Sequence, residues 1–375
     1  LYAGTEHGMF VSFDGGGGWQ SLQLNLPRVP ITDLTLRQGN LIAATQGRAF
    51  WVLDDLFVLR QAAGDQAEKA LHVFTPDTVH MIGNTGGAGK FEGGNPSRGV
   101  PIFYYLRDEN EGPLTIEILD GAGEVVRTIR SEETEHDRCV VGNMDPRAPF
   151  ELEYPSVAQG LNRWDWNLQR EHVPCVDRVA VAFLAGFEGP RVAPGDYRAR
   201  VTIGELQETV SFTALQDPRL TASDEEIGEW AARLDDVRGI LTAGLVRLSQ
   251  ARKARAQIER LMSTHPEAEA LQAVAGKAIE RIDAWEAEIN QVLHDTAEDE
   301  DAWESKLLSQ VRFLMDVIDG TGAPVTEGAM QRLVDLEAEW TTRESELAEI
   351  VATDIAAVNA WARENGAAHV PAPEF

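Results

Sequence analysis

The sequence predicts a multidomain chain in which β structure comes first and α-helices follow. Three observations carry this prediction: a repeat of strand-like segments at the N-terminus, a series of short strands separated by glycine turns, and apolar residues at helical spacing after residue 220. The expected domains are a repeat region at 1–60, a linker and lead-in strand at 61–100, an antiparallel β-sandwich at 101–219 and an antiparallel α-helical bundle at 220–375.

The composition indicates an acidic globular protein. The chain has 375 residues, enough for two or three domains, and 43% of them are hydrophobic. Its formal net charge of −28 repels nucleic acids and anionic membranes, so neither is expected as a partner. No apolar run approaches the ~20 residues that a membrane span needs. The two cysteines, Cys139 and Cys175, could pair, but they are no disulfide framework.

The N-terminal repeat has the period of a β-propeller. The segment LYAGTEHGMFVSFD aligns with LIAATQGRAFWVLD at an offset of 40 residues, and each copy predicts two strands around a tight turn. WQSLQL and ITDLTL add two strands, and four strands per period are typical of a propeller blade. The identical pairs are Leu1/Leu41, Ala3/Ala43, Thr5/Thr45, Phe10/Phe50 and Asp14/Asp54.

One to two blades cannot close a ring, because a propeller needs at least four. The chain opens on LYAGTEHG without an initiator methionine or a signal peptide, which indicates a processed or truncated protein. We therefore expect these to be the last blades of a propeller whose remainder lies in a missing N-terminal part. The alternative is that this chain completes another propeller.

Four consecutive glycines, Gly15 to Gly18, raise the alternative of a phosphate-binding loop. That loop would be followed by a Lys-Ser or Lys-Thr pair and then a helix, and the sequence from Trp19 to Leu22 supplies neither the pair nor the helix. The stretch instead resembles the Asp-box (BNR repeat) of sialidase-like and sortilin-like propellers, S-x-D-x-G-x-T-W, with Gly18 at the usual Thr position. The resemblance implies a structural corner in which Ser and Asp bond backbone N–H groups, Gly takes a positive φ and Trp packs beneath. The motif residues are Ser12, Asp14, Gly16 and Trp19.

In propellers with this motif the Asp-box turn faces away from the ligand. The resemblance therefore places the ligand-facing turns at Thr5–Gly8 and Thr45–Arg48, and the segment GRAFWVLDD looks like the last blade of bacterial proteins of this group. These proteins often have T-H-G-R where this chain has Gln46 in place of His. The alternative is that these turns carry only solvated polar residues. The candidate ligand-facing residues are Glu6, His7, Gln46 and Arg48.

The middle of the chain predicts an Ig-like sandwich, since short strands with glycine turns alternate there. It also resembles the flagellar hook-cap type of Ig-like domain that follows bacterial Asp-box propellers. That resemblance implies structural roles for Asn162, Arg163 and Trp164 at a strand start and for the turn at 194–197. The predicted strands are 102–108, 114–120, 124–130, 161–168, 195–204 and 206–215.

Two clusters in this region carry metal-ligand residue types. One is His172-x-x-Cys175-x-Asp177, and the other is SEETEHDRC at 131–139. Zinc needs a fourth ligand, and no second pair is evident. We interpret both clusters as solvated loops inserted between strands, an insertion that continues from 144 to 154, and predict no metal site and no cofactor.

Four helices are expected at the C-terminus. Ser223 and Glu226 form a predicted capping box, the segment 264–266 breaks the first helix, and the loops HDTAEDED (294–301) and DGTGAP (319–324) separate the others. No Glu-x-x-His pair supports a di-metal bundle, and the acidic runs lack the spacing of a calcium loop. The predicted apolar positions are Ile227, Trp230, Leu234, Val237, Leu241, Leu248, Ile258 and Met262; Leu271, Val274, Ile282, Trp285, Ile289 and Val292; 302–318; and Leu333, Leu336, Trp340, Leu347, Val351, Ile355, Val358 and Trp361.

The resemblance implies a non-catalytic binding and scaffolding region of a large extracytoplasmic protein, periplasmic or secreted. Its partners would be the rest of the propeller and a protein, peptide or glycan ligand. The alternative is an accessory part of a glycoside hydrolase of sialidase or xyloglucanase type. That enzyme needs two carboxylates, or an arginine cluster with a Tyr nucleophile, and the ligand-facing turns offer only Glu6 and Arg48 as charged groups of these kinds. No catalytic residue is assigned.

Overall fold

The chain combines several β-sheets with several α-helices, in the predicted order. The computed structural model describes residues 1–62, 64, 68–82, 99–109, 112–143, 152–179, 186–293 and 302–374. The fold divides into two compact units. The first contains Leu1–Glu132, Tyr154–Leu168 and Pro194–Leu220, and the second contains Glu133–Glu153, Gln169–Ala193 and Thr221–Phe375.

The N-terminal part of the first unit consists of two three-stranded antiparallel sheets. Alternating apolar residues of both sheets form one small core around Met9, Val11, Leu41 and Leu56. The first sheet contains β1 (Tyr2–Thr5), β2 (Gly8–Val11) and β3 (Gln20–Ser21), and the second contains β4 (Ile31–Arg37), β5 (Asn40–Thr45) and β6 (Phe50–Leu53).

The two sheets approach closely where β1 passes β4. A Cβ atom on Gly4 would lie 2.6 Å from Ile31 Cγ2, closer than any side-chain contact allows. Only glycine therefore permits this approach of the β1 backbone to β4.

The remainder of the first unit begins with the short helix α1 (Leu56–Gln61) and continues as two further sheets. Trp166 on one sheet makes edge contacts with Tyr197 and Phe212 on the other, with ring centroids 5.6 and 6.1 Å apart, so aromatic side chains join the two sheets. One sheet has the order β11-β10-β13-β14-β8 and the other β12-β9-β7, with β7 (Leu71–Val73), β8 (Val79–His80), β9 (Val100–Leu106), β10 (Leu114–Leu119), β11 (Val125–Arg130), β12 (Gly160–Trp166), β13 (Gly195–Ile203) and β14 (Leu206–Leu215).

The six strands predicted for this region are confirmed, each within two residues of its predicted ends. The inward positions alternate with outward ones, as in β13, where Tyr197, Ala199, Val201 and Ile203 are buried. Period-two burial is what an antiparallel sheet with one core-facing side requires.

The second unit is built from helices. Their apolar stripes meet in one core, which includes the predicted residues Trp230, Leu241, Trp285, Leu336 and Leu347. The elements are α2 (Glu135–Asn143), α3 (Asp224–Thr264), α4 (Glu269–Ile289), α5 (Leu307–Thr321), α6 (Glu327–Ile350), a π-helical turn (Val351–Ile355) and α7 (Ala356–Glu364). No helix among the described residues is long and apolar enough to cross a membrane.

The predicted start of α3 is confirmed. The Ser223 hydroxyl accepts a hydrogen bond from the Glu226 N–H, and the Glu226 carboxylate accepts one from the Ser223 N–H at 2.7 Å. These reciprocal bonds satisfy two of the free donors at the helix start. The helix ends at Thr264, at the start of the predicted break.

Two of the predicted helices differ in detail. The third begins at Leu307 instead of residue 302, because the buried apolar stripe starts only there and Trp303 is exposed. The predicted fourth helix is interrupted by the π-helical turn, which contains the buried residue Asp354. The predicted loop at 294–301 lies outside the described residues.

The interpretation of 131–139 as a solvated loop is wrong, because α2 begins within this segment. Thr134 and Asp137 cap it: the Asp137 carboxylate accepts hydrogen bonds from the Thr134 N–H (2.8 Å) and hydroxyl (2.7 Å). Cys139 on α2 forms a disulfide with Cys175, which decides the open question of their pairing. Residues 144–151 of the predicted insertion lie outside the described residues.

Candidate functional site

The glycine-rich turn between β2 and β3 is held by side chains. The Ser12 hydroxyl donates to Asp14 Oδ1 and accepts from the Gly16 N–H, and the Gly18 N–H donates to Asp14 Oδ1, each at 2.8 Å. Gly15 and Gly16 have φ values of 75° and 105°, which favour glycine. The bonds from the Gly18 N–H and the Ser12 hydroxyl lower the pKa of Asp14. This turn has no helix after it and no cationic side chain within it.

Trp19 does not pack beneath the turn as expected. Its ring lies beside Gly16 and remains 45% exposed. The reason is that Trp19 leads into β3, a two-residue edge strand whose side chains are both exposed.

The turn between β1 and β2 presents Glu6 and His7 to solvent. Thr5 shapes it, because its hydroxyl donates to the Gly8 carbonyl (3.0 Å) and accepts from the His7 N–H (3.1 Å). Gly8 has a φ of 124°. The side chains of Glu6 and His7 are exposed and make no hydrogen bond or ion pair with any described residue.

The turn between β5 and β6 presents Gln46 and Arg48 in the same way. The Thr45 hydroxyl donates to the Ala49 carbonyl at 2.6 Å, and the Trp51 Nε1–H donates to the Arg48 carbonyl at 2.9 Å. The backbone is therefore fixed while both side chains stay exposed, without a hydrogen-bonding partner in the described part of the chain.

The structure brings the two turns to one edge of the packed sheets. Gly4, just before the first turn, contacts Ile31, and Ile31 is paired with Thr45, where the second turn begins. The Gln46 N–H also donates to the Pro30 carbonyl at 2.9 Å. The glycine-rich turn follows the opposite end of β2. All four candidate residues therefore share one edge, and the glycine-rich turn lies at the other.

A cavity of about 590 Å³ lies between the two N-terminal sheets, beside the glycine-rich turn that joins β2 and β3. Its walls are mainly apolar, with Val11, Leu34, Leu41 and Leu59 among them, and Arg60 is the charged residue that lines it. No pattern in the sequence predicted this cavity. None of the described residues that line it is a carboxylate.

A charged cluster surrounds Arg163, and the sequence did not predict it as a site. Arg163 Nε donates to Asp165 Oδ1 at 2.8 Å, and Arg163 Nη1 lies 3.6 Å from Asp55 Oδ2. Burial raises the pKa of Asp55, and the nearby Arg163 only partly offsets this effect. The guanidinium also lies over the Phe103 ring at 5.4 Å. Because Arg163 compensates the carboxylates, the cluster fits the structural role expected for this residue.

His72 is the third group of interest in this unit. It is 6% exposed, its Nδ1 lies 3.3 Å from Glu208 Oε1, and Lys69 Nζ lies 3.4 Å from the same oxygen. Burial lowers the pKa of His72, against the opposing effect of Glu208. Glu208 also accepts the Val73 N–H at 2.8 Å. These bonds tie β7 to β14, so the arrangement positions two strands.

With the Cys139–Cys175 disulfide in place, no group of three or more His, Cys, Asp or Glu side chains among the described residues is placed to hold a metal ion. The edge that carries Glu6, His7, Gln46 and Arg48 has among these four residues one carboxylate, one guanidinium, one imidazole and one amide. Such a set can donate and accept hydrogen bonds, but it does not supply the paired carboxylates of a glycosidase.

No protein-family model matches the chain, and a search of curated proteins found no match. The candidate site therefore rests on its own geometry.

Proposed function

We propose that this chain is the non-catalytic binding and scaffolding C-terminal region of a large extracytoplasmic Asp-box propeller protein. Residues 1–60 would be its last one to two blades, followed by a linker and lead-in strand at 61–100, an Ig-like sandwich at 101–219 and an antiparallel helical bundle at 220–375. The observation that carries the proposal is the side-chain-bonded S-x-D-x-G turn at one end of β2, with four unpaired polar side chains at the opposite edge.

The rest of the propeller is the first proposed partner. Strand β6 is the outer strand of its sheet, so one side of its backbone has no strand partner among the described residues. Two apolar residues on it, Phe50 and Val52, are 76% and 54% exposed. Exposed apolar edge strands are aggregation-prone, and natural proteins cover them. A fourth strand paired with β6 would satisfy its backbone groups, shield these side chains in part and complete the blade.

The second proposed partner is a polar ligand at the turn edge. Glu6 accepts hydrogen bonds, Arg48 donates them, and His7 and Gln46 do both. A glycan or an extended peptide offers the matching hydroxyls, amides and charges. The absence of a second carboxylate among these four residues favours binding over hydrolysis.

Binding of the intact protein to glycan and peptide arrays tests the proposal. Arg48→Ala and Glu6→Gln are expected to weaken binding of a retained ligand at least about tenfold, because each removes a charged hydrogen bond. Arg37→Ala, an exposed arginine at the opposite end of β4, is the matched control and leaves binding unchanged.

A turnover assay separates this proposal from the hydrolase alternative. The intact protein is incubated with xyloglucan, β-glucans and sialosides, and released sugar is measured. Hydrolysis that Glu6→Gln abolishes would overturn the non-catalytic proposal. Binding that is equally insensitive to Arg48→Ala and to Arg37→Ala would remove the turn edge as the ligand site.

A further inference from the structure

The two clusters with metal-ligand residue types come together in the second unit. Cys139 on α2 and Cys175 in the segment 169–193 form the disulfide, with their Cα atoms 5.9 Å apart. His136 and His172, each three residues before one of these cysteines, stack on each other, with ring centroids 5.0 Å apart and planes inclined by 14°. Each cluster therefore contributes one imidazole to the stacked pair and one sulfur to the disulfide.

The spacing in both clusters is the same. His136-x-x-Cys139 and His172-x-x-Cys175 are both H-x-x-C pairs, so the segment 131–139 does contain a second ligand pair. On α2 the i,i+3 spacing places His136 and Cys139 on one helix face. Two such pairs make the Cys₂His₂ ligand set of tetrahedral structural zinc sites.

We propose that reduction of the Cys139–Cys175 disulfide converts this cluster into a zinc site formed by His136, Cys139, His172 and Cys175. In the oxidised chain the sulfurs are bonded to each other and cannot act as thiolate ligands. A dithiol reductant transfers two electrons and two protons to the disulfide, forming two thiols, and is itself oxidised to a disulfide. Zn²⁺ then displaces the two thiol protons and binds both thiolates and both imidazoles.

The required rearrangement is small. Around a tetrahedral zinc two thiolate sulfurs lie about 3.8 Å apart and two imidazole nitrogens about 3.3 Å apart. Side-chain rotation achieves the sulfur separation once the S–S bond is broken, since the two Cα atoms are only 5.9 Å apart. The stacked imidazoles must turn so that one nitrogen of each ring faces the metal.

The surroundings also hold the backbone of both ligand pairs in place. The Thr134–Asp137 cap fixes the start of α2. Val173, Val176 and Val179, which flank Cys175, are buried in the core of the second unit. The ligand backbones therefore stay close to each other without the disulfide, which favours metal binding by a folded site.

Cobalt substitution tests the site directly. The full chain is reduced with a phosphine, and Co²⁺ is added under anaerobic conditions. We expect one equivalent of Co²⁺ with the visible absorption of a tetrahedral site and thiolate charge-transfer bands. Zn²⁺ should displace it with one-to-one stoichiometry, and the oxidised chain should bind at least about a hundredfold more weakly.

Histidine variants decide whether the imidazoles are ligands. His136→Gln and His172→Gln retain the disulfide for folding, and after reduction they should bind Zn²⁺ at least about tenfold more weakly in chelator competition. His369→Gln changes an exposed histidine of the same unit and should match the wild type. Octahedral or absent Co²⁺ spectra in the reduced chain would overturn the proposal, as would wild-type affinity in both ligand variants.

If reduction destabilises the second unit, a urea unfolding measurement still tests the proposal. The urea midpoint of the reduced wild type should rise on addition of Zn²⁺, whereas that of reduced His172→Gln should rise much less. Equal gains in both would mean that the metal binds outside this site and would contradict the assignment.

Discussion

Among individual residues, Asp55 combines a left-handed backbone with an unfavourable charge. It has φ 58° and ψ 41°, a conformation that aspartate tolerates better than most residues with a side chain. Burial raises the pKa of its carboxyl above the ordinary value of 3.8, with Arg163 opposing the rise. The folded chain therefore holds this proton more tightly than the unfolded chain. As the pH rises above 3.8, this group lowers the free energy of unfolding.

Asp55→Asn is expected to raise the stability of the first unit at pH 7 by about 0.5 kcal/mol or more, because a partly buried negative charge is removed. The gain should shrink as the pH falls through 3.8, because the carboxyl then becomes protonated in the unfolded chain as well. Urea unfolding at pH 3.5, 5 and 7 measures this difference, and Asp54→Asn, an exposed neighbour, is the matched control. A variant less stable than the wild type at pH 7 would show that the ion pair with Arg163 outweighs the cost of burial.

Among the structural elements, the turn between β2 and β3 depends on one buried hydroxyl. Ser12 is 2% exposed and bonds both the Asp14 carboxylate and the Gly16 N–H. Without it, the Gly16 N–H lacks its side-chain acceptor. This turn sets the direction in which the chain enters β3.

Ser12→Ala should therefore destabilise the first unit by about 1 to 2 kcal/mol, the cost of losing hydrogen bonds to a buried group. Ser21→Ala removes an exposed serine from the adjacent β3 and should change stability by less than about 0.5 kcal/mol. Paired urea titrations of the two variants provide the measurement. Equal midpoints would mean that the backbone alone maintains the turn.

The π-helical turn is the second element with a buried charge. Asp354 is 3% exposed. Burial opposes its charge, but bonds from Lys277 (3.0 Å), Thr353 (2.9 Å) and Arg281 outweigh this and hold the pKa of Asp354 below its ordinary value. Through these bonds it connects the π-helical turn to α4.

Asp354→Ala should lower the stability of the second unit by about 2 to 3 kcal/mol, because two cations lose their buried partner. Glu364→Ala, in the exposed part of α7, is the control and should cost less than about 0.5 kcal/mol. Thermal unfolding followed by circular dichroism measures both. A loss no larger than that of the control would show that water replaces the carboxylate.

Local signals predicted the elements better than the contacts between them. Strands β9 to β14 follow from alternation and glycine turns, and the start of α3 follows from Ser223 and Glu226. In contrast, the Arg163–Asp55 pair and the approach of His136 to His172 join residues distant in sequence, so no periodic pattern marks them. The π-helical turn adds one residue to a helical turn and leaves the apolar spacing nearly unchanged.

For the candidate site, the motif predicted the bonding of Ser12, Asp14 and Gly16, because these contacts lie within five residues. It did not predict the exposure of Trp19, which depends on how short β3 is. The sequence did not predict that the two polar turns share an edge, because this follows from the close approach of Gly4 to Ile31 in the folded chain. The ligand that this edge would bind remains a proposal.

For the molecule as a whole, the two units are interleaved in sequence. Six segments alternate between them, so the chain passes from one to the other five times. The disulfide closes a loop between residues 36 apart, and that loop contains β12 of the first unit. The cross-link therefore restricts the unfolded state of both units.

Replacing both cysteines by serine should lower the free energy of unfolding by about 3 to 4 kcal/mol, as expected for a loop of this length. Because β12 lies inside the loop, the transitions of both units should shift. Urea unfolding with a chelator present is the measurement. Reductant should bring the wild type to the midpoint of the double variant and leave that variant unchanged; identical midpoints without reductant would show that the cross-link contributes nothing.

The same loop has a mechanical consequence. If the chain ends are pulled apart, tension runs through the sulfur–sulfur bond and bypasses the segment between Cys139 and Cys175. About 120 Å of extended chain is thereby withheld from stretching. Reduction under load would release this length in a single step, so the oxidation state of one bond sets how far the protein can be extended.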